Sequence, residues 1–108
     1  METKYNGWTN YETWLVNLWI DNSGDQDYWN DSSRDLFEYS KGDSTFTKEE
    51  NAIADLADLM REYYDELASQ WMPDQSSMFA DMINASLREV NWREIAEHYI
   101  DEITVMLD

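Results

Sequence analysis

The carboxylate side chains are the groups of this sequence whose number and spacing could do chemistry. The chain carries 24 Asp and Glu residues against 7 Lys and Arg residues, a formal net charge of -17 over 108 residues. In the longest predicted helix, Asp55, Asp58, Glu62, Asp65 and Glu66 stand at i, i+3, i+7, i+10 and i+11, which places them along one side. At a rise of about 1.5 Å per residue, Asp58 and Asp65 lie about 10 Å apart. Such a row indicates a surface that imitates a polyphosphate.

Two further segments carry acids at helical spacing. These candidate partner-binding residues are Asp31, Asp35 and Glu38 in the second predicted helix and Glu94, Glu97, Asp101 and Glu102 in the fifth. Few acids have a cation four residues later, Glu89 with Arg93 being the exception, so internal compensation is poor. For any single helix the alternative is an ordinary solvated face. Over the whole chain, however, the charge far exceeds the magnitude of about 2 to 8 typical of a small domain, which favours a negative surface that itself binds.

The charge balance also decides which partners are expected. Nucleic-acid binding requires Lys and Arg to neutralise phosphates, and here the seven cations are scattered among more than three times as many acids. We therefore expect no direct binding to nucleic acid or to an anionic membrane. The expected partner is a basic nucleic-acid-binding protein, and no signal in the sequence indicates the oligomeric state.

Catalytic and metal-binding chemistry has little support in the residues. His98 is the only histidine, and the chain has no cysteine. No glycine-rich phosphate loop, nucleophile elbow or His-Glu-x-x-His zinc motif occurs. The segment from Asp21 to Asp25 resembles the start of a calcium loop, but it lacks the required glycine and the bidentate acid. We predict no enzymatic activity, no catalytic residue, no cofactor and no metal site.

The location of the protein is predicted from two features of the sequence. Residues 1–8 contain no apolar leader core, and no run approaches the roughly 18 apolar residues of a membrane span. The absence of cysteine fits a reducing compartment. A cytoplasmic protein is expected.

Helical periodicity dominates the chain, which has one proline and three glycines. Thr9 with Glu12 and Thr47 with Glu50 have the spacing of capping boxes that begin the first and third helices. The predicted boundaries are residues 10–21 for the first helix, an end near Gly42 for the second, an end before Pro73 for the third, and starts at Ser76 or Ser77 and at Asn91 for the last two. The predicted fold is all-α, a compact bundle of about four to five helices in one domain, residues 1–108.

Segments outside the helices and the aromatic residues complete the prediction. Tyr5 to Trp8 and Asp43 to Phe46 are candidates for short extended pieces. The aromatic residues predicted as core are Trp14, Trp19, Tyr63, Tyr64 and Tyr99, because stacking of nucleic-acid bases normally accompanies a basic groove. Those that could stay exposed and anchor a protein interface are Trp8, Tyr11 and Trp71.

Two segments carry a resemblance to a known group of proteins. Residues 5–22 (YNGWTNYETWLVNLWIDN) resemble the opening of a family of small acidic, largely uncharacterised proteins of bacteriophages and other mobile elements, which has an Asn-Tyr/Arg-Glu-Thr-Trp signature. Residues 89–97 (EVNWREIAE) are similar to a second recurrent segment of that family. The resemblance implies a mobile-element origin and assigns no activity and no site residues.

The function predicted from these features is that of a DNA mimic. Phage and plasmid proteins that imitate DNA to block restriction, CRISPR or repair enzymes are also small, strongly acidic and often helical, which is an analogy of composition. The carboxylates are expected to occupy the nucleic-acid-binding groove of such an enzyme in a bacterial host. The alternative is an adaptor that binds through an exposed aromatic patch, with the charge serving solubility.

Overall fold

The computed structural model describes residues 5–107, and the side chains of residues 5–106. The prediction of an all-α bundle is confirmed, because this part of the chain forms five helices and no strand. The helices are α1 (Tyr11–Ser23), α2 (Asp25–Tyr39), α3 (Lys48–Trp71), α4 (Met78–Glu89) and α5 (Trp92–Leu107).

Side-chain caps fix where four of the helices begin, including α5, where Asn91 Oδ1 accepts from the Glu94 amide at 3.1 Å. The predicted capping box of α3 is confirmed, since the Glu50 amide donates to Thr47 Oγ1 at 3.1 Å and the Thr47 amide donates to Glu50 Oε1 at 3.0 Å. Ser77 caps α4 by accepting from the Ala80 amide. Thr9 was the wrong prediction for the N-cap of α1.

The N-cap of α1 is Asn10, whose Oδ1 accepts from the Thr13 amide at 2.9 Å. Thr9 has a different role, because its amide donates to Glu94 Oε1 at 3.0 Å. Asn10 Nδ2 also donates to the Glu89 carbonyl at 2.7 Å, which ties the start of α1 to the end of α4. Contacts with residues far along the chain therefore select between two adjacent residues that can both cap a helix.

Gly24 alone joins α1 to α2, with a φ of +90° that favours glycine. From there α2 runs through Asn30 and Ser33, both poor helix formers, and ends at Tyr39, short of the predicted end near Gly42. Ser33 is fully buried and donates to the Asn30 carbonyl at 3.0 Å. Packing against the core thus overrides low local propensity.

The core lies between α2, α3 and α5, each of which packs against the other two. Its centre holds Trp29 from α2, Leu56 and Met60 from α3, and Ile95 and Ile100 from α5, all without solvent exposure. Burying each such aliphatic side chain contributes about 1.5–3 kcal/mol. Helix α1 covers one side of this trio by contacting α2 and α5, and α4 lies against α1 and α3.

The two candidate extended pieces are turns. Tyr5 and Trp8 exchange backbone hydrogen bonds of 3.2 and 2.7 Å across Asn6 and Gly7, whose positive φ values of 47° and 94° suit a tight reversal. Asp43 Oδ1 accepts from two following backbone amides, at Thr45 and Phe46. These hydrogen bonds lower the pKa of Asp43.

Some residues predicted as core lie elsewhere. Trp19 is 67% exposed and Tyr63 is 37% exposed, so both predictions are wrong. Tyr99 is buried, and Tyr64 is half-buried with its ring stacked on Trp92 at 5.5 Å between centroids. Trp14 is half-buried.

Candidate interaction surfaces

Five acids form a row on the outward side of α3, called here the α3 ridge. They are Asp55, Asp58, Glu62, Asp65 and Glu66, all exposed. The opposite side of α3 carries the buried Ile53, Leu56 and Met60. From the first acid to the last is eleven residues, about 16.5 Å along the axis, or one carboxylate per about 4 Å. Phosphates along one strand of DNA rise by about 3.4 Å, so the linear charge densities are close.

One cation contacts the α3 ridge. Arg61 Nη2 lies 3.2 Å from Asp58 Oδ1, and both side chains are more than half exposed. An exposed pair of this kind contributes about 0–1 kcal/mol. The other ridge acids have no ion pair among the described residues.

The candidate acids of α2 and α5 have different surroundings. Asp31, Asp35 and Glu38 are exposed on the outward side of α2, where Asp27 continues the row. On α5, Asp101 and Glu102 are exposed, whereas Glu97 pairs with Arg93 at 3.3 Å and the half-buried Glu94 accepts from the Thr9 amide. Arg93 therefore pairs with Glu97 instead of Glu89, the partner expected from the sequence.

The packing of the helices separates these rows of acids. Because α2, α3 and α5 pack mutually around one core, the outward side of each faces away from the other two. The twelve predicted acids therefore do not share one face of the molecule. The α3 ridge has the most acids of these rows, and all five are exposed. Glu94 belongs to the fold because it holds the N-terminal turn against α5.

A polar pocket of about 150 Å³ lies between α1, α2 and α5. It is lined by Asn17, Asp21, Gln26, Glu102, Tyr99 and the stacked pair of Trp8 and His98, whose rings are 4.4 Å apart. Burial, followed by the charges of Asp21, Glu102 and Asp25, raises the pKa of Tyr99. His98 is exposed. No group of described residues has the arrangement of a metal site.

Tyr64 and Tyr99 differ in how their hydroxyl groups are paired. Trp29 Nε1 donates to the Tyr64 hydroxyl at 2.9 Å, and that hydroxyl donates to Asp25 Oδ2 at 3.3 Å. Burial is the main cause that raises the pKa of Tyr64. The Tyr99 hydroxyl is buried and has no hydrogen-bond partner among the described residues. Such an unpaired polar group costs stability.

An apolar groove that the sequence did not predict follows α1, with α4 as its other wall in one half and Asp25 of α2 and Tyr64 of α3 in the other half. Called here the α1–α4 groove, it has two hollows of about 220 and 210 Å³. Its main apolar lining residues are Tyr11, Leu15, Val16, Trp19, Ile83 and Leu87. The available signal was that α1 is apolar on two sides, since Thr13 and Ile20 are buried while Tyr11 and Leu18 are exposed.

The three candidate aromatic anchors have different positions. Trp71 is 80% exposed at the end of α3, and Tyr11 is exposed at the rim of the α1–α4 groove. Trp8 is half-buried beneath its contact with His98, so it offers less of its surface to a partner. The groove brings two exposed aromatic residues, Tyr11 and Trp19, to one surface, whereas Trp71 stands apart from it.

Among residues 5–107 no helix is long and apolar enough to cross a membrane.

Comparison with known proteins gives one match, to a family model. Neither the curated proteins nor the solved structures contain a significant match to this sequence. A family model matches residues 1–108 in full. The chain belongs to this family, a family of unknown function designated DUF7249.

Proposed function

We propose that this protein is a DNA-mimic inhibitor, in which the α3 ridge occupies the nucleic-acid-binding groove of a basic host defence protein of the restriction or CRISPR type. The resemblance of residues 5–22 to proteins of mobile elements supports an origin in a phage or related element, where such an inhibitor would act inside the bacterial host. The proposal assigns binding to α3 first, because its row has the most carboxylates and all five are exposed.

The observation that carries the proposal is the spacing of the exposed α3 ridge. One carboxylate per about 4 Å matches the linear charge density of a single DNA strand closely enough for a row of Lys and Arg side chains to contact either. A rigid helix holds the acids in place before binding, so little ordering is needed when a partner docks.

Repulsion between the acids of the α3 ridge also lowers the stability of the helix. This cost supports a role for the acids beyond solubility. Four pairs of its acids stand at i,i+3 or i,i+4: Asp55 with Asp58, Asp58 with Glu62, Glu62 with Asp65, and Glu62 with Glu66. Like charges at these spacings destabilise a helix by about 0.2–0.5 kcal/mol each, about 1–2 kcal/mol in all. Interspersed cations would keep the protein soluble without that cost.

A pull-down from bacterial lysate with two matched variants tests the proposal. Asp58→Asn, Glu62→Gln and Asp65→Asn together neutralise the α3 ridge, whereas Asp31→Asn, Asp35→Asn and Glu38→Gln remove the same charge from α2. We expect the α3 variant to lose basic nucleic-acid-binding proteins that the wild type and the α2 variant retain. Capture should also fall with salt, because the Debye length shrinks from about 10 Å at 0.1 M to about 3 Å at 1 M.

The same pull-down distinguishes between the two predicted functions, the DNA mimic and the adaptor. Equal capture by the two variants would contradict a specific role for the α3 ridge. Capture that survives both the α3 variant and high salt would favour the adaptor alternative, in which the charge serves solubility.

A further inference from the structure

Large apolar side chains are left uncovered on α1 and α4, the two helices that line the first hollow of the α1–α4 groove. Trp19 is 67% exposed, Phe79 is 63% exposed and Met82 is 59% exposed. Of the residues of α4, only Ala80 is fully buried. A helix with apolar residues on several sides is typical of one that is covered on those sides, and contiguous apolar patches commonly mark binding sites.

The groove has the length of a helix-binding site. Its two hollows share Leu15 and Val16, so they adjoin one another along α1. Tyr11 and Trp19 line its two ends and stand eight residues apart, about 12 Å along the helix axis. Apolar anchors at i and i+7 of a bound helix lie about 10.5 Å apart. Two such anchors therefore fit the two hollows.

The charges around the groove indicate the chemistry of its occupant. The charged residues that line it are Glu12 in one hollow and Asp25 in the other, and no Lys or Arg is among the described lining residues. A second copy of this chain would bring another charge of -17 against this acidic rim. A helix with basic residues beside its apolar stripe complements both the groove and the rim.

We propose that the α1–α4 groove binds an amphipathic helix of a partner protein, with Lys or Arg residues flanking the apolar anchors. This inference does not depend on the α3 ridge, which faces the partner's nucleic-acid-binding surface in the function proposed above. Trp19 and Ile83 are assigned as contacts of the apolar anchors, and Glu12 and Asp25 as contacts of the basic flanks.

A designed peptide tests this inference without knowledge of the natural partner. The probe is a helical peptide of about 18 residues, or five turns, with Leu at i, i+4, i+7 and i+11 and Lys beside them. Its controls are a scrambled peptide and one with Glu in place of Lys. Titration into isotopically labelled protein, followed by amide NMR shifts, gives both the affinity and the residues contacted.

We expect the Lys peptide to shift amides of α1 and α4, and both control peptides to bind at least about tenfold more weakly. The double variant Trp19→Ala, Ile83→Ala should lose about tenfold or more in affinity, since truncating central anchors commonly has effects of this size. The matched variant Tyr39→Ala, Val105→Ala, which removes exposed side chains on α2 and α5, should bind as the wild type does. Circular dichroism confirms that each variant is folded.

Several outcomes would overturn the inference. Shifts confined to the α3 ridge would show simple ionic attraction, and equal binding of the Glu peptide would remove the role of charge. Absence of binding by the Lys peptide would also contradict it. Sedimentation that finds a dimer, dissociated by Trp19→Ala with Ile83→Ala, would instead assign the groove to a second copy of the chain.

Discussion

Tyr99, which is buried, and Tyr64, which is half-buried, should respond in opposite directions to the loss of their hydroxyl groups. The Tyr99 hydroxyl has no partner among the described residues, whereas the Tyr64 hydroxyl accepts from Trp29 Nε1 at 2.9 Å. Trp29 has no solvent exposure, so its indole N–H depends on that contact. The same substitution, Tyr to Phe, therefore removes an unpaired group at one site and breaks a hydrogen bond at the other.

The expected magnitudes follow from the cost of an unpaired buried group, about 1–3 kcal/mol. Tyr99→Phe should raise the free energy of unfolding by up to this amount, because it removes the penalty. Tyr64→Phe should lower it by a similar amount, because Trp29 Nε1 is left without an acceptor. For a domain of this size each kcal/mol corresponds to about 4 °C in melting temperature.

Urea denaturation at neutral pH, followed by circular dichroism, measures both changes on the same scale. Both phenols are protonated there, so ionisation does not contribute. Destabilisation by Tyr99→Phe would refute the reasoning by showing that its hydroxyl is hydrogen-bonded. Neutral behaviour of Tyr64→Phe would show that Trp29 finds another acceptor.

Three further predictions concern the stability of the fold. Added salt should raise the melting temperature, because it screens the repulsion within a net charge of -17; a calorimetric scan that shows no rise would contradict this. Thr13→Val should lower the free energy of unfolding, measured by urea denaturation, by about 1–3 kcal/mol. The buried Thr13 hydroxyl accepts from the Asn91 amide at 2.8 Å and donates to Asn10 Oδ1 at 2.6 Å, and the substitution removes both hydrogen bonds. A change near zero would mean that the Asn91 amide finds another partner. Above about pH 10, the ordinary pKa of tyrosine, the free energy of unfolding should fall as the pH rises. The reason is that burial raises the pKa of Tyr64 and Tyr99, so the unfolded chain loses these protons first. Replacing both residues by Phe should reduce the slope of the unfolding free energy against pH, and an unchanged slope would contradict the assignment.

The sequence predicted the helices well where local signals act alone. The capping box at Thr47 and the stop before Pro73 depend on residues within one turn, and both were confirmed. The start of α1 depends on Glu89 and Glu94, which are distant in sequence, so its cap could not be assigned correctly. The helical character of residues 30–33 likewise depends on tertiary burial.

The candidate surfaces were predictable only one helix at a time. The spacing of Asp58, Glu62 and Asp65 is enough to place them on one side of α3, because helical periodicity fixes that relation. The directions of the acid rows on α2, α3 and α5 depend on how the helices pack. Trp19 was predicted as core because the periodic spacing of apolar residues shows which side of a helix is apolar. The spacing does not show whether that side is covered by the rest of the chain or exposed to solvent.

Competition with duplex DNA tests the DNA-mimic proposal most directly. A basic protein captured on the immobilised wild-type chain is challenged with a duplex oligonucleotide, and its release is measured as the oligonucleotide concentration rises. We predict that duplex DNA displaces the captured protein and that the neutralised α3 variant fails to displace DNA from it in the reverse experiment. Simultaneous binding of DNA and this protein, with no displacement in either direction, would contradict the proposal.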